Sequence, residues 1–228
     1  MLTRGLLDQL LKSGQSLLQE NTSQRPGKSS ASPAAGLSEM LGGAGGSALA
    51  AGALGLLLGS NKTVRKVGGS ALTYGGLAAL GVMAYKAYGN WQAQQSANPV
   101  VEPQTVNRLP APQAEQHSQA ILRALVAAAK ADGHIDERER QLIEGEFSKL
   151  TQDAELQRWL AAELNKPLDP GEVASAARSP EMAAEMYLAS LLMADQQHFM
   201  ERAYLDELAR QLQLAPALKL ELENQARG

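Results

Sequence analysis

The sequence lacks cysteine altogether and has few aromatic residues. With no cysteine among 228 residues, disulfides, thiolate zinc sites and cysteine nucleophiles are excluded. Two Trp, five Tyr and two Phe provide little aromatic surface for stacking on nucleic-acid bases. The formal net charge of −3 provides no basic footprint either. These absences argue against a nucleic-acid partner and leave the cellular compartment open.

Glycine is scarce in the second half of the chain. After residue 112 it occurs only at Gly133, Gly145, Gly171 and Gly228, in a sequence rich in Ala, Leu, Glu and Arg. No stretch alternates polar and apolar residues with period two, so the pattern predicts an all-α domain. Residues 113–228 form this domain, which is long enough to bury a core of its own.

Several helix starts in this domain can be read from local signals. Asp136 and Glu139 have the spacing of a capping box. Asp169 precedes Pro170, and Ser179 precedes another proline, which is the pattern of an N-cap followed by proline at the first helical position. The predicted helices cover 113–131, 136–150, 152–164, a short segment from 170, 179–194, a segment ending at 212 and a last one starting at 216.

Two stretches of the first half contain no charged residue. Residues 41–59 and 67–85 each hold nineteen residues, which as a helix would rise about 28 Å, close to the thickness of a bilayer core. Tyr85, Tyr88 and Trp91 lie where an interfacial belt of aromatic residues is expected. The sequence therefore predicts a glycine-rich membrane anchor over residues 41–91, with one span or two. The side of the membrane that holds the C-terminal domain stays open.

The remaining parts of the first half have simpler predicted roles. Leucines at 6, 7, 10 and 11 fit one face of an amphipathic helix over residues 1–20. Residues 21–40 read as a flexible linker, and residues 92–112 as a Pro/Gln-rich tether. The small residues of the anchor let helices approach closely, so this segment is also a candidate surface for a homo-oligomer.

One pattern occurs twice in the C-terminal domain. Residues 130–143 read "KADGHIDERERQLI", and residues 193–212 read "MADQQHFMERAYLDELARQL". Each combines the end of an apolar helix, an Ala-Asp corner and a helix containing Glu-Arg. The sequence therefore predicts two pseudo-repeated helical hairpins that bury each other's apolar faces. A row of methionines, Met182, Met186, Met193 and Met200, is expected to fill this core, and the secondary alternative is that it lines a promiscuous peptide-binding groove.

The first of these motifs resembles the signature of the tellurite-resistance TerB-like domain, a helical bundle whose "ADG-x-I-x-x-x-E" corner occurs twice. Together with the glycine-rich first half, the wording "QHFMERAYLDEL" resembles the YebE family of bacterial inner-membrane proteins of unknown function. The resemblance covers most of residues 40–215 and implies an inner-membrane location. The second corner departs from the pattern, because Gln196 stands where glycine is usual and the acidic spacing is one residue shorter.

The resemblance also implies a metal site. TerB-like domains bind metal through acidic corner residues, which correspond here to Asp132, Asp136 and Glu139. Asp195 and Glu201 join them if the two hairpins pack with a pseudo-twofold axis. Carboxylate oxygens suit a divalent cation such as calcium, although the spacing is not that of an EF-hand.

Two other interpretations of the same corners stay open. Asp132, Asp136, Glu139 and Glu201 also have ordinary roles as turn, cap and first-turn residues, without any metal. His134 and His198 would instead suit a transition metal held by imidazole and carboxylate.

The sequence shows no nucleophile elbow, phosphate-binding loop or HExxH pair, so we expect no enzymatic activity. The predicted function is a membrane-anchored interaction or scaffold module with a protein partner, in a setting of envelope stress. The alternative is a divalent-cation sensor that uses the acidic corners.

Overall fold

The computed structural model describes residues 3–7, 71–95, 102–131, 137–194 and 198–227. Every regular element among them is an α-helix, which confirms the predicted all-α class. Helix α1 is described over residues 3–7. The others are α2 (Ala71–Gln94), α3 (Ala111–Ala129), α4 (Glu137–Leu150), α5 (Ala154–Asn165), α6 (Pro170–Ala174), α7 (Pro180–Met193), α8 (Phe199–Gln211) and α9 (Pro216–Arg227).

Helix α7 forms the centre of the bundle. Residues 182–191 are all buried, as expected for a helix that is apolar on every side. It packs against α2, α3, α8 and α9. Its start is well defined, because the Ser179 hydroxyl accepts the backbone N–H of Met182 at 3.1 Å and Pro180 occupies the first turn.

The surrounding helices follow the predicted pattern closely. Helix α3 buries Ile121, Leu122, Leu125 and Val126, which recur with the spacing of one face of a helix. Helices α5 and α6 begin at aspartate caps: Asp153 accepts the N–H groups of the next helical turn, and so does Asp169. The predicted caps at 169 and 179 are thereby confirmed, while the capping box at 136 and 139 falls outside what the structure describes.

Helix α2 packs within the bundle, against α7 and α9. It contains residues 71–85 of the second charge-free stretch. The residues it buries are Leu77, Leu80, Met83, Ala84, Ala87 and Tyr88. Among the described residues, no helix combines the length and the apolar character needed to cross a bilayer. The first charge-free stretch, residues 41–59, lies outside the described residues.

The predicted tether, residues 92–112, does not extend away from the bundle throughout the part that the structure describes. Thr105 and Val106 are 1% and 0% exposed, so this turn packs on the bundle. The reason lies in α2, where a Cβ added at Gly81 would come within 2.5 Å of the Asn107 Oδ1 atom and 3.0 Å of Val106. Glycine thus allows the turn to approach the helix closely. The Arg108 guanidinium lies 4.5 Å from the centre of the Tyr85 ring, a cation–π contact that holds the same turn.

Helix α1 docks on α3. Leu6 and Leu7 are 6% and 0% exposed, in line with the predicted amphipathic face. The Glu115 carboxylate accepts the backbone N–H groups of Thr3 and Arg4 at 2.7 and 3.0 Å, which satisfies donors left open at a helix start. The rest of the predicted N-terminal helix and the linker 21–40 lie outside the described residues.

Candidate functional site

The acidic corners are only partly described. Asp132, Asp136 and Asp195 lie outside the described residues, and the structure describes no side chain for Glu139. Glu201 is described: it lies in the first turn of α8, is 3% exposed, and has its Oε1 atom 4.0 Å from the His198 Nδ1 atom. Within the described parts of the chain, no group of three or more His, Cys, Asp or Glu side chains could hold a metal ion.

Lysine 130 fixes the chain just before the first acidic corner. Its Nζ donates to the backbone carbonyl of Glu163 at 2.9 Å and also to that of Lys166. These carbonyls belong to the C-terminal end of α5, where a cation interacts favourably with the helix dipole. Burial lowers the pKa of Lys130. The end of α3 is therefore tied to α5 immediately upstream of the corner.

An apolar surface is exposed at the start of α8. Phe199 is 70% exposed and Met200 is 52% exposed, and we call this pair the 199–200 patch. The other apolar side chains of α8, Tyr204, Leu205 and Leu208, are buried. Of the four methionines expected in the core, Met182, Met186 and Met193 are buried as predicted. The prediction for Met200 is wrong, because it lies in the first turn of α8 on the side facing away from the bundle.

A carboxylate and an imidazole meet in the middle of the bundle. Glu185 of α7 is 0% exposed, and His117 of α3 is 6% exposed. The Glu185 Oε2 atom lies 2.5 Å from the His117 Nδ1 atom, and its Oε1 atom accepts the backbone N–H of Val106 at 2.6 Å. One side chain thus joins α7, α3 and the 105–108 turn.

The electrostatics of this pair are dominated by burial. Burial raises the pKa of Glu185, and the contacts with His117 and the Val106 N–H work in the opposite direction. A buried carboxyl of this kind holds three elements together as long as its partners satisfy it. Both side chains are enclosed by the bundle, so the pair contributes to the packing of the fold.

Sequence reasoning missed both the buried pair and the 199–200 patch. A glutamate inside the otherwise apolar "PEMAAEMYLASLLM" was the available signal for the buried carboxylate, since an isolated charge on such a helix requires a partner. Nothing in the sequence marked His117 as that partner. For the patch, the sequence shows an adjacent Phe and Met at a helix start, but it does not show that these side chains are exposed.

The fold and these residues define an all-α bundle around one buried helix, with an apolar patch at the start of a surface helix. A family model described as "Protein of unknown function (DUF533)" matches residues 43–226. The chain therefore belongs to this family.

Among similar proteins is one from Yersinia enterocolitica named "Uncharacterized protein in ampR 5'region". It is 34% identical over 113 residues, which cover 50% of this chain and 81% of that protein. No solved structure matches the chain. Neither description states an activity.

Proposed function

We propose that the protein is a membrane-associated, non-enzymatic interaction module whose TerB-like helical domain binds a protein partner through the 199–200 patch. The observation that carries this proposal is the exposure of Phe199 and Met200, at 70% and 52%. Both side chains belong to the segment "QHFMERAYLDEL", on which the family resemblance depends.

The energetics favour a partner at this patch. Covering a fully exposed Phe or Met side chain contributes about 1.5–3 kcal/mol. Aromatic residues and methionine are enriched in the centres of protein interfaces, and methionine adapts to partners of irregular shape. Exposed Arg202 and Asp206 lie farther along the same helix, so the patch has the polar rim that interfaces usually carry.

We further propose that residues 41–59 attach the module to the inner membrane. These nineteen residues carry no charge, which suits a lipid environment. Helix α1 contacts Glu115 of α3, so the two chain segments on either side of this stretch lie on the same side of any bilayer. That contact favours attachment in which the chain enters and leaves the membrane on one face, and it disfavours a single crossing.

Photocrosslinking tests the proposed interface. A benzophenone amino acid replaces Phe199 in the full chain inside cells, and the matched control carries it at Leu220, which is 56% exposed on α9. We expect a crosslinked protein band of discrete mass from position 199 and none from position 220, and Met200→Ser should reduce the yield. Crosslinking to lipid alone, or equal yields at both positions, would overturn the proposal.

The second candidate function is divalent-cation binding at the acidic corners, with calcium as the first ion to test. It is supported by the burial of the Glu201 carboxylate in the first turn of α8, near the His198 imidazole. Calorimetry on the full chain checks it: a cation sensor gives saturable heat with calcium, magnesium, manganese or zinc. Absence of heat and of any thermal shift with all four ions removes this function.

A further inference from the structure

A cavity of about 450 Å³ opens between α3, α5 and the connection from α6 to α7. Its volume falls within the roughly 300–1,000 Å³ of typical small-molecule sites. Thr3 of α1 contributes one wall. The described residues that line the cavity include neither Phe199 and Met200 nor Glu201, so neither proposal above accounts for it.

The lining of the cavity is positively charged. Two arginines, Arg123 and Arg178, line it, and no carboxylate does so among the described residues. Arg123 is already paired, since its Nε atom lies 3.3 Å from Glu163. The Arg178 side chain is exposed and forms no ion pair or hydrogen bond with another described residue. A cation in this position favours an anionic group in the cavity.

Another part of the lining is apolar. Leu156 and Met182 are 2% and 3% exposed, and Trp159 packs half-buried against the core. Such side chains bind the uncharged body of a ligand, while a few polar groups fix its orientation. The cavity therefore combines one available cation with a wall that is suited to hydrocarbon.

A buried hydroxyl adds an independent observation. Thr3 is 0% exposed, and its Oγ1 atom has no hydrogen-bond partner among the residues that the structure describes. Buried hydroxyls without a partner are uncommon, because burial removes their hydrogen bonds to water and nothing replaces them. A ligand oxygen in the cavity that Thr3 lines would supply the missing partner.

We propose that this cavity binds a small carboxylate with an apolar body, with its carboxylate at Arg178 and its body against Trp159, Leu156 and Met182. This site and its ligand class do not depend on the proposed protein interface, and each can fail without the other.

Tryptophan fluorescence can test this binding directly. The chain has two tryptophans, so Trp91→Phe leaves Trp159 as the only reporter in the full chain. The probe is 4-phenylbutyrate, and the matched neutral compound is 4-phenylbutanol, which has the same body and no charge. We expect a saturable change with the carboxylate and at least roughly tenfold weaker binding of the alcohol, since a hydrogen bond to a charged group contributes about 1.5–3 kcal/mol.

Variants in the same background locate the carboxylate. Arg178→Gln should weaken 4-phenylbutyrate about tenfold, while Arg202→Gln, an exposed arginine on α8, should leave it unchanged. Thr3→Val should weaken binding without lowering the stability of the unliganded protein, because it removes a hydroxyl that has no partner. Equal binding of acid and alcohol, or an unchanged affinity in Arg178→Gln, would overturn the proposal. Phe199→Ser should not affect this binding.

Discussion

At the scale of single residues, Glu185 is the position where a change should have the clearest consequence. Its carboxyl is fully buried, and burial raises its pKa above the usual range of a glutamate. A group whose pKa is raised by folding contributes its full stabilisation at pH values below its unfolded-state pKa. That contribution is lost as the pH rises through the folded-state pKa. The contribution of Glu185 to stability should therefore decrease as the pH rises above the usual range of a carboxyl pKa.

Replacing the carboxyl by an amide tests this sign. Gln in Glu185→Gln keeps the shape, can accept the Val106 N–H and cannot ionise. As the pH rises above the usual range of a carboxyl pKa, we expect Glu185→Gln to become more stable relative to wild type. Urea unfolding followed by circular dichroism at several pH values measures the difference.

Removing the side chain gives the control for Glu185. Glu185→Ala leaves the Val106 N–H and His117 without their buried partner, which should cost about 1–3 kcal/mol at every pH. If Glu185→Gln instead loses stability relative to wild type as the pH rises, the carboxylate is held in its charged form by His117, and the direction argued above is wrong.

Residue roles were predictable from the sequence only where they depend on near neighbours. The caps at Asp169 and Ser179 were predicted because each bonds to backbone two or three residues away. The Glu185–His117 contact spans 68 residues, and periodicity does not indicate which turn of α3 faces which turn of α7. Met200 was misplaced for the same reason, since a helix start shows which residues are apolar without showing where the helix docks.

At the scale of elements, the N-cap of the central helix α7 should contribute measurably to the free energy of unfolding. Ser179 accepts the Met182 N–H and begins α7, so Ser179→Ala should lower the free energy of unfolding by roughly 0.5–2 kcal/mol. Ser179→Asp should retain most of it. Ser148→Ala serves as the matched control, because Ser148 is exposed inside α4 and donates to the Gly145 carbonyl of its own helix. Thermal or urea unfolding distinguishes these variants, and equal losses at 179 and 148 would refute the cap.

Helix α2 shows why one element was harder to interpret. A stretch without charge is equally suited to lipid and to the interior of a bundle, and hydropathy does not distinguish the two. What distinguishes them is the complementary surface on α7 and α9, which lies at the other end of the sequence. The helical domain consequently includes residues such as Leu77 and Leu80, upstream of the boundary predicted at residue 113.

The packing of α2 can be tested by two substitutions on one helix. Leu80 is 1% exposed and Val82 is 41% exposed. Leu80→Ala should destabilise the bundle by about 2–5 kcal/mol, while Val82→Ala should change it by about 0.5 kcal/mol or less. Urea unfolding of the full chain provides the measurement. Similar small effects at both positions would mean that α2 does not contribute to the core.

At the scale of the whole molecule, the sequence predicted a helical domain, and the structure shows how its parts are joined over long distances. Helix α1 is fixed by Glu115, the 105–108 turn by Glu185, and the end of α5 by Lys130. Carboxylates and a lysine join segments that are far apart in sequence. The acidic corners, by contrast, were predicted from a local motif, and only Glu201 has a described side chain, so their convergence stays a prediction.

The contact between α1 and α3 predicts that both helices lie on the same side of the membrane. Because the chain has no cysteine, single introduced cysteines can test this prediction. Gly5 in α1 and Gly145 in α4 are both exposed, and a Cβ at either position would meet nothing within 4 Å. Single cysteines in Gly5→Cys and Gly145→Cys should therefore be accepted. Because both helices belong to one bundle, we expect a membrane-impermeant maleimide to label both from the same face of the membrane, either in intact spheroplasts or only after lysis.

Detergent-solubilised protein provides the control for labelling, since both cysteines should then react fully. Labelling of one cysteine in intact spheroplasts and of the other only after lysis would place a bilayer between α1 and α4. The chain would then cross the membrane an odd number of times between residues 5 and 145, and the Glu115 carboxylate could not hold α1 in the cell. If both cysteines are labelled from the same face, α1 and the bundle lie on one side of the membrane, whichever face that is. A single crossing by residues 41–59 is then excluded.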